Sequence, residues 1–452
     1  MSTFDDFGFD TLKLRAGYDP ADHNYASSVP IYETVSYAVG SAETYDRIAA
    51  GVEDGHVYTR CSNPTIKVLE DRIAALDKAK NAVAVGSGVA AITYGILSLC
   101  EGGGRMLTTE QLYGGIVHSL DAIFPKYGVK VDKVSNYASI DEFEAKIADD
   151  TKLIYVESVS NPTAIVSDIE NLAKLAHKHG IPLVVDNTVA TPYLFNPIVH
   201  GADIIIYSAT KGIGGHGSAI GGLVVDAGRF DWDSPKFPQF KEKNISFRDL
   251  NGRDRSYLEA FGKDAFSAKV RSDYLTNFGA ALSPFNAYIL LLGLETLSER
   301  LDKEVRNVEK IVDFLTHSEY VEWVSYPYLE GNKSRELAKK YFPKGVGQLF
   351  SFGVKGGEEA VYRLCRNVKL FSYQLNLGDS KSLIANAKRS THGVLTDAEL
   401  GLADIPDNTV RVSIGTEDAD DLIRDLQQAF EASAAEASEL KASGAELRKK
   451  AG

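Results

Sequence analysis

The feature that most constrains this 452-residue chain is an alternation between residues 152 and 211. Three short apolar runs rich in β-branched residues, KLIYVES (152–158), PLVVDNT (182–188) and DIIIYSATK (203–211), read as strands. Between the first two lies DIENLAKLAHKHG, whose apolar residues recur at helical spacing and stop at Gly180. Gly180 fits a left-handed cap, and Pro182 blocks any continuation of the helix. Strand–helix–strand repetition predicts a mostly parallel sheet covered by helices on both faces.

The rest of the chain is organised around that sheet. At about 100–200 residues per domain, the length accommodates two or three domains. Residues 1–60, with scattered Gly, Pro, Asp and Tyr, read as an arm rather than a core. Residues 61–282 form the expected large sheet domain, opening with the helical pattern of Val68, Leu69, Ile73 and Leu76. A polar stretch at about 226–270 reads as an insertion or connector. A long helix from about Ser283 introduces a smaller α/β domain, 283–430, and residues 431–452, rich in Ala, Glu, Lys and Ser, read as an exposed helical tail.

Composition excludes several classes of function. The net charge of -13 argues against a nucleic-acid or anionic-membrane surface. The uncharged stretch Asn81–Cys100 is long enough for a membrane span, but it starts with a strand-like AVAV and breaks at Gly86-Ser87-Gly88. A buried strand, tight turn and buried helix explain it better. Cys61, Cys100 and Cys365 are few, distant and odd in number, so neither a disulfide framework nor a metal site is indicated. A reducing cytoplasm is the expected location, and the acidic N-terminal sequence lacks the apolar core of a signal peptide.

The chemistry is concentrated at strand ends, where ligands sit in open α/β sheets. Glu157-Ser158 with Asn161-Pro162, then Asp186-Asn187-Thr188, then Ser208-Ala209-Thr210-Lys211 would bring an acid, an amide, hydroxyls and a lysine to one rim. A lysine at the lip of a buried strand, followed by the glycine-rich GIGGHGSAIGG, can reach into a cleft and form a Schiff base. On composition alone, a surface lysine at a strand exit is the favoured reading of Lys211. Asp186 ends an apolar run; it is either a helix N-cap or a buried carboxylate that needs a cationic partner, such as a protonated pyridine nitrogen. Gly86-Ser87-Gly88-Val89 joins a strand to a helix whose first N–H groups could hold phosphate oxygens, although such turns are common.

Taken in order, AVGSGVAAI, LYGG, YVESVSNPT, VVDNT, SATKGIGGHG and RVSIGTED resemble the γ-subfamily of pyridoxal-phosphate (PLP) enzymes, the cystathionine/methionine metabolism group, from about Ser28 to Asp418. The resemblance implies the PLP-dependent transferase type I fold (aspartate-aminotransferase-like), with a large mostly parallel sheet domain that binds PLP and a smaller C-terminal α/β domain. Within the group, SATKGIGGHGSAIGG, GRFDWDSPKFP, GAALSPFNAYILLLGLETL and LNLGDSKSLI are most similar to the O-acetylhomoserine sulfhydrylases. The implied reaction joins O-acetylhomoserine and sulfide to give homocysteine and acetate, with methanethiol to methionine as a variant. The rival reading is a cystathionine γ-synthase or γ-lyase; a binding protein on the same fold is disfavoured by the intact motif set.

The resemblance also implies roles. Lys211 would hold the cofactor and shuttle protons, Asp186 would pair with its ring nitrogen, and Tyr113 would stack on its ring. Asn161 would serve the ring hydroxyl and the substrate. The backbones of Gly88 and Val89 with the hydroxyls of Ser208 and Thr210 would bind phosphate. Tyr58 and Arg60 would reach the phosphate of a neighbouring subunit, making a dimer the minimum and a tetramer the expected state. Arg411, with Asn376 nearby, would clamp the substrate α-carboxylate in a bidentate fork. The sequence departs from the family pattern at Val89, at Gly115, where γ-lyases often carry cysteine, and at ANAKRSTH (385–392), where sulfhydrylases often have an HPAST-like stretch.

Overall fold

The structure, a computed structural model, describes residues 7–450. The first six residues of the expected arm and the last two of the expected tail lie outside the described residues. The chain divides into two compact units. One comprises the residues up to Thr109 with His118–Ser158 and Ser167–Ser298; the other comprises Glu110–Val117, Val159–Val166 and the chain from Glu299 on. Two short stretches of the expected sheet domain thus group with the C-terminal chain, and each begins within two residues of the end of a strand.

The first unit is built on seven strands: β1 (Asn81–Val85), β2 (Gly104–Thr109), β3 (Val129–Val134), β4 (Thr151–Glu157), β5 (Leu183–Asp186), β6 (Ile204–Ser208) and β7 (Gly222–Asp226). Their order is β1-β7-β6-β5-β4-β2-β3. The five strands from β6 to β3 are parallel, and β7 runs antiparallel to both β6 and β1. The apolar residues of β4, β5 and β6 are buried without alternation, as expected for strands covered on both faces. Helix α1 (Pro64–Leu76) is capped by Asn63, and α2 (Gly88–Leu99) by Ser87, whose Oγ accepts from the Ala90 N–H. Helix α3 (Ile169–Lys178) makes the crossover from β4 to β5 and closes at Gly180, which adopts φ +64°. The stretch 81–100 is a strand, turn and helix, and no described helix is long and apolar enough to cross a membrane.

The segment 226–270, whose polar sequence suggests a connector, contains a short hairpin, β8 (Asn244–Arg248) and β9 (Asp254–Arg255), and a buried aromatic cluster. The Trp232 and Phe266 rings stack at 5.3 Å, and Phe237 and Phe240 pack around Trp232. These aromatics are spaced too irregularly to register as a strand or helix face. Burial of such large side chains nevertheless anchors the segment to the unit.

The second unit has a five-stranded sheet of β10 (Val321–Ser325), β11 (Leu349–Val354), β12 (Ser372–Tyr373), β13 (Leu383–Asn386) and β14 (Thr409–Ser413), in the order β10-β11-β14-β13-β12. It is antiparallel except for the β12–β13 edge. The helix Ala419–Lys450 includes most of the expected tail, and its first half buries Leu422, Leu426, Ala429 and Phe430.

Candidate active site

In the first unit, the carboxyl ends of β4, β5 and β6 are adjacent: Glu157 pairs in register with Asp186, and Asp186 with Ile206. Asp186 is 9% exposed. Its Oδ1 accepts from the Thr188 N–H at 3.0 Å, and its Oδ2 accepts from the Tyr155 hydroxyl at 3.2 Å. Burial pushes the Asp186 carboxyl up from its usual range, and the Thr188 and Tyr155 hydrogen bonds oppose that rise. No cation pairs with it among the described residues. A buried carboxylate with two donors and no counter-charge suits a cationic ring nitrogen. The Thr188 hydroxyl in turn accepts from the Ser208 N–H at 2.8 Å, tying the end of β5 to that of β6.

Lys211 lies one turn beyond β6, half-buried; its N–H reaches the Ser208 carbonyl at 3.1 Å. The first part of the glycine-rich stretch that follows, residues 212–215, is buried. A Cβ at Gly293, on the helix α4 (Pro284–Glu295), would stand 2.3 Å from the Gly214 carbonyl oxygen. Glycine here permits close approach of a helix to a loop, and that contact fixes the backbone carrying Lys211.

The phosphate side follows the same logic. A Cβ on Gly88 would stand 2.5 Å from the Ser208 Cβ and 2.8 Å from its Oγ. The missing side chain therefore leaves the first turn of α2 directly beside the Ser208 hydroxyl, with Val89 exposed next to it. The unsatisfied N–H groups of a helix start and a neighbouring hydroxyl fit an anionic oxygen cluster. Thr210 is adjacent in sequence, and its hydroxyl exchanges hydrogen bonds with Gly221, donating at 3.2 Å and accepting at 3.1 Å. Tyr58 and Arg60 sit together on the arm, with the guanidinium 4.9 Å from the centre of the tyrosine ring and both side chains exposed in the single chain.

The second unit contains the remaining candidates. Arg411, in the middle of β14, has Ser351 and Ala385 as its register partners on β11 and β13. It is 2% exposed. Its Nη2 donates to the Asn376 carbonyl at 2.7 Å, whereas its Nε has no hydrogen-bond partner among the described residues. No carboxylate pairs with it among the described residues, and burial pushes its pKa down to about 10. Asn376 thus contributes a backbone oxygen to this arrangement.

Tyr113 and Asn161 belong to this unit too. Ser351 Oγ donates to the Pro162 carbonyl at 2.7 Å and Ser325 Oγ to the Thr163 carbonyl at 2.7 Å, stitching the Asn161 segment to the sheet. Gln111 bridges the two segments: its amide nitrogen donates to Ala403 O at 2.7 Å, and its oxygen accepts from Thr163 at 2.8 Å and from Ser160. Tyr113 is 39% exposed and lies among the groups that act electrostatically on Arg411.

Tyr155, Gln111 and the role of His392 escaped the sequence reading, and Thr188, placed there on the rim, turns out to hold Asp186 and the end of β6. Tyr155 is embedded in an apolar strand run and Gln111 precedes a motif, so neither carries a local signal. His392 closes ANAKRSTH, one of the places where the sequence departs from the family pattern.

Comparison with known proteins supplies the frame for these arrangements. Residues 10–431 match the family described as Cys/Met metabolism PLP-dependent enzyme. A sulfhydrylase, FUB7, of Gibberella moniliformis is 42% identical over 94% of this chain and 97% of its own. A homocysteine synthase of Schizosaccharomyces pombe is 40% identical over 94% and 98% of the two chains. Among solved structures, one from Campylobacter jejuni, assigned as an O-acetylhomoserine (thiol)-lyase and carrying a pyridoxyl-lysine monophosphate, superposes with a TM-score of 0.88. It is 36% identical and covers 94% of this chain and 100% of that one.

Proposed function

Since the chain belongs to the family of Cys/Met metabolism PLP-dependent enzymes, we propose a division of labour among its residues. The enzyme is a PLP-dependent sulfhydrylase that replaces the γ-acetate of O-acetylhomoserine with sulfide, releasing homocysteine and acetate. Bound PLP supplies an electron-withdrawing ring that takes up the electron pair of the breaking α-C–H bond.

Lys211 is the point of covalent attachment, and its amine, once freed, moves the α-proton. Asp186, held by Thr188 and Tyr155, keeps the ring nitrogen protonated. The Gly88 and Val89 N–H groups with the Ser208 and Thr210 hydroxyls hold the phosphate. Tyr113 offers a ring face, and Asn161 an amide to the ring hydroxyl and substrate. Arg411, oriented by Asn376, takes the α-carboxylate. Tyr58 and Arg60 serve the phosphate of a second copy, so the working unit is at least a dimer, and a tetramer is the expected assembly; the expected setting is the cytoplasm.

The observation that carries the amino-acid substrate is Arg411: a guanidinium 2% exposed, with one backbone partner and a vacant Nε, is unfavourable until an anion joins it. The test is a substrate panel on the purified holoenzyme. O-acetylhomoserine with sulfide should give the highest kcat/KM. Faster formation of cystathionine with cysteine as the thiol would make it a γ-synthase, and thiol release from methionine or cystathionine a γ-lyase.

A further inference from the structure

We propose that His392 is a positioning residue that clamps the Tyr113 and Asn161 segments in place; the inference deepens the reading above, since the roles of Tyr113 and Asn161 rest on it. His392 follows a π-helical turn, Ala387–Thr391, that leaves the end of β13. Such turns are rare and concentrate at functional sites. The turn is capped by Asn386, whose Oδ1 accepts from the Arg389 N–H at 3.1 Å.

The His392 ring is fully buried. Its Nε2 lies 3.0 Å from the carbonyl oxygen of Leu112, the residue before Tyr113. A carbonyl can only accept, so Nε2 carries the proton. Nδ1 faces the Thr391 hydroxyl at 2.8 Å, a hydroxyl also 3.2 Å from the Ala387 carbonyl. The Leu112 and Asn161 backbones both favour the protonated ring, but burial and the Arg411 charge outweigh them and push its pKa down to about 4. A ring that stays neutral over the working range is suited to holding a carbonyl, not to exchanging protons.

The approach between the segments is as close as the chain permits. A Cβ at Gly114 would lie 1.8 Å from the Thr391 carbonyl oxygen. Any side chain there would drive the Tyr113 segment off the wall that His392 belongs to. One buried imidazole therefore hydrogen-bonds the backbone beside Tyr113 and lies within the electrostatic reach of the Asn161 backbone and the Arg411 charge. A histidine that merely filled core volume would not need a polar contact with either segment, and an apolar residue could replace it. Here an apolar residue would leave the buried Leu112 carbonyl without its donor.

The experiment compares His392→Leu and His392→Gln holoenzymes by hydrogen–deuterium exchange and by kinetics with O-acetylhomoserine and sulfide. His392→Leu should raise exchange roughly tenfold in residues 110–117 and 159–166 while leaving residues 349–354 and 183–208 unchanged, and should lower kcat by about tenfold. His392→Gln, whose amide nitrogen reaches about as far as Nε2, should recover most of both. Wild-type exchange in both segments of the Leu variant would overturn the clamp, as would increased exchange throughout the unit that Gln fails to correct. If His392→Leu does not fold, His392→Gln and the shorter His392→Asn decide: protection kept by Gln and lost by Asn supports the clamp, and equal behaviour overturns it. Failure of the sulfhydrylase reading would show instead as a wild-type enzyme inactive on these substrates, with the exchange pattern intact.

Discussion

Replacing Arg411 by methionine should stabilise the resting enzyme and disable it. The side chain is buried, bonded through one nitrogen to the Asn376 carbonyl, and pushed from the usual 12.5 down to about 10. That depression corresponds to about 3 kcal/mol against the charged form. The sign follows: a base whose pKa falls on folding carries this penalty in full at every pH below the folded value, so it is complete at neutral pH. Methionine, unbranched and of similar length, removes the penalty and loses one charge-assisted hydrogen bond worth about 1.5–3 kcal/mol. The net expectation lies between no change and a gain of about 1.5 kcal/mol. Substrate binding moves the other way. Loss of a desolvated guanidinium–carboxylate pair costs about 2–5 kcal/mol, roughly 30-fold or more in the Michaelis constant for O-acetylhomoserine. Arg411→Lys keeps the charge but not the two-point fork, and should raise that constant about tenfold. The assay is urea unfolding at neutral pH with and without an unreactive carboxylate analogue, alongside steady-state kinetics at saturating sulfide. The analogue should stabilise wild type and leave Arg411→Met unaffected. A methionine variant destabilised by more than about 2 kcal/mol, or one with unchanged saturation by O-acetylhomoserine, would refute the reasoning.

Three further outcomes follow from the same geometry. Tyr155→Phe removes one of two donors to Asp186 without changing shape; it should weaken retention of PLP in dialysis and lower kcat by about tenfold, and unaltered retention and turnover would show that Thr188 alone suffices. Lys211→Ala should abolish the borohydride-reducible adduct and nearly all turnover; mixed with Arg60→Ala it should regain part of the activity in hybrid dimers, and no recovery despite demonstrated subunit exchange would count against a shared site. Glu304, fully buried with neither carboxyl oxygen hydrogen-bonded, is pushed up to about 8 by burial. It folds protonated, so its stability contribution is whole below about pH 4.5 and is lost as pH rises to about 8, on the order of 5 kcal/mol. Glu304→Gln should flatten that part of the stability–pH curve, as measured by thermal unfolding between pH 5 and 8.

Local pattern carried much of this protein. The strands at 152–158, 182–188 and 203–211 were legible because a strand buried on both faces is written in consecutive apolar residues, and the intervening helix in its spacing. The Gly180 stop was legible because it depends on one residue's backbone freedom. Asp186, Ser208 and Lys211 stood out because strand ends are where the apolar code breaks off. The ordered run of motifs gave the family and its cofactor, and with them the expected candidates. Pairings between distant residues were decided only by the tertiary structure. His392 and Leu112 are 280 positions apart, and no local periodicity relates them. Tyr155 looks like one more apolar strand residue until β5 places Asp186 beside it. The aromatic residues of 226–270 have no period, so their joint burial around Trp232 could not be read in advance. Nor does the sequence around Arg411 reveal that its charge is buried with no carboxylate beside it among the described residues. Helix and strand propensities act over a few residues, whereas the environment of a charge is set by every segment that folds around it.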